Sequence, residues 1–200
     1  MKKIPTLFVR EFLDKHEFIL KREITPGLEW VLKGEGVATI KIDGSCTAIF
    51  NGVFYKRYDA KQGKTAPEGA IPCCEPDPIT GHWPHWVKVD PSNKADRWFY
   101  EAYLNAGGAS LEDGTYEAIG PHFQSNPYGL EKDTLERHGI RVVNPERSYD
   151  GLHKFLEENY IEGLVFWKDG EPRCKIKRRD FGLPWNKGNP SGKVMSKEEK

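Results

Sequence analysis

No stretch of this 200-residue chain approaches the ~20 uninterrupted apolar residues that a membrane helix needs, so no membrane role is expected. A charge imbalance is also missing. The 30 basic and 30 acidic residues cancel, which removes any overall pull toward nucleic acid. Cysteine is scarce: Cys46, Cys73, Cys74 and Cys174 sit at spacings unlike a disulfide framework, so reduced thiols and a cytoplasmic location are expected. The opening MKKIPTLFVREFLDKHEF begins like a signal peptide, but Arg10, Glu11 and Asp14 interrupt its apolar part. Export is not expected. Internal repeats and long low-complexity linkers are absent too, which predicts a single domain over 1–200.

What is present suits an ordinary folded protein, with 38% hydrophobic and 30% charged residues and length for one full core. Charge is unevenly spread. From Lys168 onward ten Lys and Arg face five Asp and Glu, a surplus suited to phosphate contacts, with 180–200 a basic tail. Phe8, Phe12 and Leu13 at helical spacing predict a helix near the N-terminus. Ala48–Phe50 and Val53–Tyr55 flank Asn51-Gly52, a strong hairpin signal. Residues 62–92, rich in Gly and Pro, read as a long loop. A helix capped by Ser92 or Asn93 follows, burying Trp98, Phe99, Ala102 and Tyr103 and ending at Gly107-Gly108. Thr115–Ile119 reads as a strand. Ser148 caps a helix carrying Leu152, Phe155 and Leu156, and strands Leu164–Trp167 and Arg173–Lys177 join at Asp169-Gly170. The class expected is α+β, with mostly antiparallel sheets flanked by helices.

Four segments carry chemistry together. Lys41-Ile42-Asp43-Gly44 ends a strand over 38–42, and alternation sends Lys41 and Asp43 to one face. Gly44 then allows a sharp turn that leaves the lysine at a pocket mouth. A free lysine, with a pKa near 10.4, is roughly one part in a few thousand neutral at pH 7. A nucleophilic lysine therefore needs other cations, a metal ion or burial. Lys175-Ile176-Lys177 can supply the cations: both ammonium groups share a strand face, which makes sense if a triphosphate lies between them. Glu117, in Glu117-Ala118-Ile119-Gly120, and Glu162, in Glu162-Gly163-Leu164-Val165, supply carboxylates suited to a divalent cation or ribose hydroxyls. K-x-D-G alone would arise by chance in roughly one such chain in twenty. The order and spacing of the whole set carry the weight.

The ordered set resembles the covalent nucleotidyltransferase superfamily of polynucleotide ligases and mRNA capping enzymes, with Tyr55-Lys56-Arg57 matching its basic segment after the first motif. Trp30-Val31, Gly34-Glu35, Ala38-Thr39 and the stretch Pro72 to Trp86 with Thr80-Gly81-His82 are similar, more narrowly, to small 5′-to-3′ RNA ligases. That resemblance implies an adenylation-domain fold and a monomer. It also implies a reaction in which Lys41 attacks the α-phosphorus of ATP to form lysyl-AMP. The AMP then passes to a 5′-phosphate of RNA, and a 3′-hydroxyl displaces it. Lys175 and Lys177 would grip the α-phosphate, and Arg57 would hold ribose or the incoming phosphate. Glu117 would hold ribose or a metal-bound water, Glu162 would bind Mg²⁺ (Mn²⁺ as an alternative), and Asp43 would orient Lys41 or a metal-bound water. Gly44 completes the AMP-binding set. The short run after Lys177 leaves no room for an appended oligonucleotide-binding domain, which favours RNA ligation over capping or DNA joining.

Three further readings compete. One is a GTP-using capping-type guanylyltransferase, another a protein-modifying adenylyltransferase, and the third a non-catalytic nucleotide- or RNA-binding module. The last fits poorly with a full set of charged site residues. Cys73, Cys74, His82 and His85 invite a zinc reading, but adjacent cysteines suit one tetrahedral site badly. His82, Trp83 and Trp86 read either as residues closing over a site or as core packing, and His122 as a substrate contact. No aromatic residue that stacks on the base can be placed; Ile140–Val143 holds none.

Overall fold

Two side-chain periods organise this chain, and both surface as regular elements in a computed structural model that describes residues 3–14, 17–61, 63–78 and 81–185. The first strands are β1 (Phe8–Phe12) and β2 (Phe18–Ile24), then the one-turn helix α1 (Glu29–Leu32) and β3 (Val37–Lys41). The run β4 (Ser45–Phe50), β5 (Val53–Ala60), β6 (Ile71–Pro72) and β7 (Trp83–Lys88) leads to helix α2 (Arg97–Ala106). There follow β8 (Gly114–Ile119), β9 (Thr134–Arg137), β10 (Val142–Val143), helix α3 (Tyr149–Glu158), β11 (Gly163–Lys168) and β12 (Glu171–Lys177). Every pair of these strands runs antiparallel, so the α+β class read from the sequence is the one observed. The described residues form two compact units, named by their order in the sequence: the central unit, Asp43–His138, and the flanking unit, Ile4–Ile42 with residues 139–185.

In the flanking unit a sheet of order β10-β3-β11-β12 carries the core. Leu164, Phe166 and Ile176 are fully buried with Phe8, Val31 and with Leu152 and Leu156 of α3. Ser148 caps α3 as expected, its Oγ accepting the Gly151 N–H at 2.9 Å, a bond worth about 1 kcal/mol. Asp169 and Gly170, with φ of 55° and 75°, make the left-handed turn between β11 and β12. Beyond β12 the sheet is extended by the N-terminal segment: Leu7 N–H donates to Lys175 O at 2.8 Å, and Lys175 N–H to Pro5 O at 3.0 Å. The helix expected around Phe8–Leu13 is instead the hairpin β1–β2. The pairing register shifts between Phe8 and Arg10, so Phe8 is buried while Phe12 is 64% exposed, and the apolar spacing marks neither a helix face nor one strand face. Only one turn of helix, α1, follows it.

In the central unit the sheet order is β6-β7-β5-β4-β8-β9. Asn51 and Gly52 turn with φ of 51° and 71°, and both their N–H groups donate to the Asp113 carboxylate at 2.6 and 3.1 Å. Asn93 accepts the Ala95 N–H at 3.0 Å and opens a 3-10 turn running into α2. α2 then covers one sheet face: Ala102 is buried, Phe99 packs on Phe123, and Tyr103 stacks on Phe54 at 4.8 Å between ring centroids. Gly107 ends the helix. Residues 62–92 are not one loop. They contain β6 and β7, and β7 pairs with β5 from Lys88 to Trp83. Pro72 and Pro84 hid these strands, Pro72 because it stands on an edge strand where a missing donor is tolerated. The basic tail expected at 180–200 lies outside the described residues from 186 on, as does Thr80. Among the described residues no helix is long and apolar enough to cross a membrane.

Candidate active site

Strand register assembles the first cluster, all of it within the flanking unit. Gly163 on β11 stands opposite both Lys41 on β3 and Lys177 on β12, so the two lysines flank Glu162 at the strand's entrance. The Lys41 Nζ donates to Glu162 Oε2 at 2.6 Å, and the Lys177 Nζ donates to Glu162 Oε1 at 2.5 Å. Lys41 Nζ also reaches the Ile42 carbonyl at 3.3 Å. The Glu162 side chain is only 7% exposed, against 21% for Lys41 and 14% for Lys177. Gly163 is obligatory here for space: a Cβ on it would fall 2.2 Å from Ile176 O. Ile176 itself is fully buried, which turns Lys175 and Lys177 to the opposite face as alternation predicts.

Electrostatics in this cluster are uneven. Burial alone would raise the Glu162 carboxyl, but Lys41 and Lys177 outweigh it and hold the group below the usual carboxylate range. Burial, and then Lys177, Lys41 and Arg10, bring the Lys175 ammonium down from 10.5 to about 8. Burial also lowers Lys177, against the pull of Glu162. Two participants were missed in the sequence. Asp180 is buried and accepts the Lys177 N–H at 2.8 Å, while Arg10 donates to its other oxygen at 2.5 Å. Asp180 falls three residues after Lys177, a spacing that could have flagged it; Arg10 reaches the cluster only through the β1 fold-back.

The central unit positions the other predicted residues. Glu117 is buried on β8, opposite Cys46 of β4. Its Oε1 accepts the Gly44 N–H at 3.2 Å, and its Oε2 lies 2.7 Å from His138 Nε2. Gly44 is needed for close approach rather than for turning, since a Cβ there would meet Ala118 O at 2.3 Å. The Asp43 N–H donates to the Tyr128 hydroxyl at 2.6 Å. Arg57 lies on the Cys46 face of the sheet and donates to Asp59 at 2.7 Å. Lys56 takes the opposite face, where it is bound to Asp96 beneath α2 and serves the core. The Cys46 thiol is pushed up to about 12, first by burial and then by Glu117.

Lys41, Glu162, Lys175 and Lys177 are thus brought together in one unit, whereas Asp43, Gly44, Arg57 and Glu117 belong to the other. His122 is held by Asp133 at 2.6 Å and stacked on Trp98. Trp86 is buried against Phe50, the packing alternative for that residue. His82 lies 3.6 Å from Asp59, and His85 is buried with its Nδ1 on Trp83 O.

No family model matches the sequence. It is 29% identical over 138 residues to RNA ligase 1 of Danio rerio, covering 52% of this chain and 42% of that protein. It is likewise 29% identical over 162 residues to RNA ligase 1 of Pongo abelii, covering 61% of this chain and 50% of that one. The two matches support a distant relationship to RNA ligases. It spans about half the length of these relatives or less. The narrower of the two resemblances noted in the sequence, to small RNA ligases, agrees with this relationship.

Proposed function

We propose that this chain is an ATP-dependent RNA ligase that works through a lysyl-AMP intermediate on Lys41. The observation that carries the reading is the cluster in which Glu162 holds both Lys41 and Lys177 while Lys175 lies partly buried alongside. Partly buried cations gathered around a reactive amine suit a triphosphate, and the similarity to RNA ligase 1 supplies the substrate class. Attack requires the neutral amine, so Lys41 must hand on a proton, and Glu162 Oε2 at 2.6 Å is in contact to take it. The Lys41 nitrogen bonds to the α-phosphorus as the bond to pyrophosphate breaks. AMP then moves to the RNA 5′-phosphate, freeing the amine, and the 3′-hydroxyl displaces AMP to close the phosphodiester. Such in-line transfers ask a protein mainly to position groups and offset charge.

Lys175 and Lys177 are assigned to the α-phosphate, Arg57 to ribose or the incoming phosphate, and Asp43 to orienting Lys41 or a metal-bound water. Both oxygens of Glu162 already accept ammonium groups. An Mg²⁺ or Mn²⁺ ion there would displace one of the ammonium groups and take most of its ligands from phosphate and water, as such ions do. Glu162 would hold the ion, which when bound offsets triphosphate charge; Glu117 is the second carboxylate assigned to a metal-bound water or to ribose.

The test is covalent labelling with α-labelled ATP and Mg²⁺. Label is expected on the parent chain, absent from Lys41→Ala, and released on adding 5′-phosphorylated RNA. An unlabelled parent, or label that persists in Lys41→Ala, refutes the reading. Labelling by GTP but not ATP would favour the capping-type alternative.

A further inference from the structure

The ligase reading leaves Cys46 and His138 without a task. They stand on either side of Glu117 for a reason rooted in register. Cys46 and Glu117 are direct partners across β4 and β8, which puts their Cβ atoms about 4.5–5.5 Å apart on one face. His138 lies just past the end of β9, and its N–H donates to Thr115 O at 3.0 Å, so its ring swings back over Glu117. One ligand atom from each residue, sulfur, carboxylate oxygen and imidazole nitrogen, lies within 4.8 Å of the other two. Among the described residues this is the one such group of three or more.

We propose that Cys46, Glu117 and His138 form a binding site for a borderline-soft divalent cation of the zinc class. The donor set argues against Mg²⁺, which takes oxygen ligands, and for Zn²⁺ or Co²⁺, which accept thiolate and imidazole. Tetrahedral coordination places ligand atoms roughly 3.5 Å apart, so His138 Nε2 and Glu117 Oε2, now 2.7 Å apart, must open slightly while the Cys46 thiol, within 4.8 Å of both, closes in. Three protein ligands leave a fourth position open, as in sites that bind water or a substrate group.

The surroundings are those of a prepared site. Glu117 Oε1 is anchored by the Gly44 N–H, leaving Oε2 to face the cluster. His138 Nδ1 is 3.0 Å from Thr115 Oγ1, a bond that fixes the ring and directs Nε2 at the ligand position. The 2.7 Å approach of His138 Nε2 to Glu117 Oε2 is held by one proton, which the cation replaces. Arg57, the nearby positive group, is already matched by Asp59 at 2.7 Å. Metal binding would release the thiol proton to solvent, while the imidazole proton moves from Nε2 to Nδ1, where Thr115 Oγ1 accepts it.

The full chain is titrated with Co²⁺ and followed by absorption. A thiolate-to-cobalt charge-transfer band in the near ultraviolet and tetrahedral bands in the visible are expected, saturating at one equivalent and erased by Zn²⁺. Cys46→Ser should remove the charge-transfer band. Cys73→Ser with Cys74→Ser should leave it, and Thr115→Val, which removes the bond to His138, should weaken binding roughly 10-fold or more. Circular dichroism verifies that each variant is folded. No thiolate band in the parent chain, or an unchanged band in Cys46→Ser, overturns the proposal. ATP labelling of Lys41 is scored separately, so failure of the ligase reading leaves this result standing.

Discussion

Lys175 is the residue whose protonation most directly couples the cluster to stability. Its ammonium is depressed from 10.5 to about 8, so below pH 8 the folded and unfolded chains both hold the proton and the fold bears the whole penalty. Two to three pH units correspond to roughly 3 kcal/mol. Between pH 8 and 10.5 the unfolded chain binds more protons than the folded one, and stability from this group rises with pH. Lys175→Met is therefore expected to be more stable than the parent by roughly 1–3 kcal/mol at pH 7, with the gap closing toward pH 10. Urea denaturation at both pH values measures it. Glu162 has the opposite sign. Its lowered carboxyl contributes stability that is complete above its unfolded value of 4.5 and is lost as pH falls through the folded value. Glu162→Gln should cost roughly 3 kcal/mol at pH 7, because Lys41 and Lys177 lose their counter-charge, and close to nothing in acid. A flat difference across that range would contradict the bridge. At this scale Lys41, Glu162, Lys175 and Lys177 were legible because charged residues at strand positions stand out. Cys46, His138 and Arg10 were not, since their meeting depends on which strands become neighbours.

Elements divide into those whose signals are local and those whose signals are not. The Asn51-Gly52 turn, the Ser148 cap and the Asn93 cap are side-chain-to-backbone devices, and each reads directly from adjacent residues. The β1–β2 hairpin is not legible because its irregular register breaks the alternation between Phe8 and Phe12, and β7 because its prolines and aromatics resemble a loop until β5 is placed beside it. Glycines test the same division. At Gly163 an added Cβ would strike the backbone of β12, so Gly163→Ala should cost roughly 1–3 kcal/mol and misplace Glu162. Gly170, with φ of +75° and open space around it, should lose only about 1 kcal/mol on becoming Ala, with adenylylation intact. Thermal melts and labelling with ATP separate the two; equal losses in both variants would show that crowding at Gly163 is not decisive.

Across the whole molecule, positive charge is concentrated rather than abundant. Equal numbers of acidic and basic residues leave nothing to hold nucleic acid broadly. Binding of single-stranded RNA to this chain is accordingly expected to show a shallow salt dependence, with a slope near −0.7 for each phosphate neutralised and few phosphates involved. Filter binding of one oligonucleotide across several salt concentrations measures the slope. A steep slope would reveal a basic track that the composition hides. The chain matches 42% and 50% of its two relatives' lengths, so their remaining portions carry residues with no counterpart in these alignments.

The Glu162 bridge has a last consequence, for selectivity among anions. With a carboxylate already seated between Lys41 and Lys177, an incoming ligand must outcompete a tethered rival that never diffuses away. A chloride or an acetate offers no more charge than the incumbent and gains little by replacing it. A polyphosphate offers several charges at once and can engage the lysines while Glu162 turns toward an accompanying cation. On the proposed ligase reading the bridge would act as a valence filter, one that holds the amines apart from simple salts and yields to highly charged ligands.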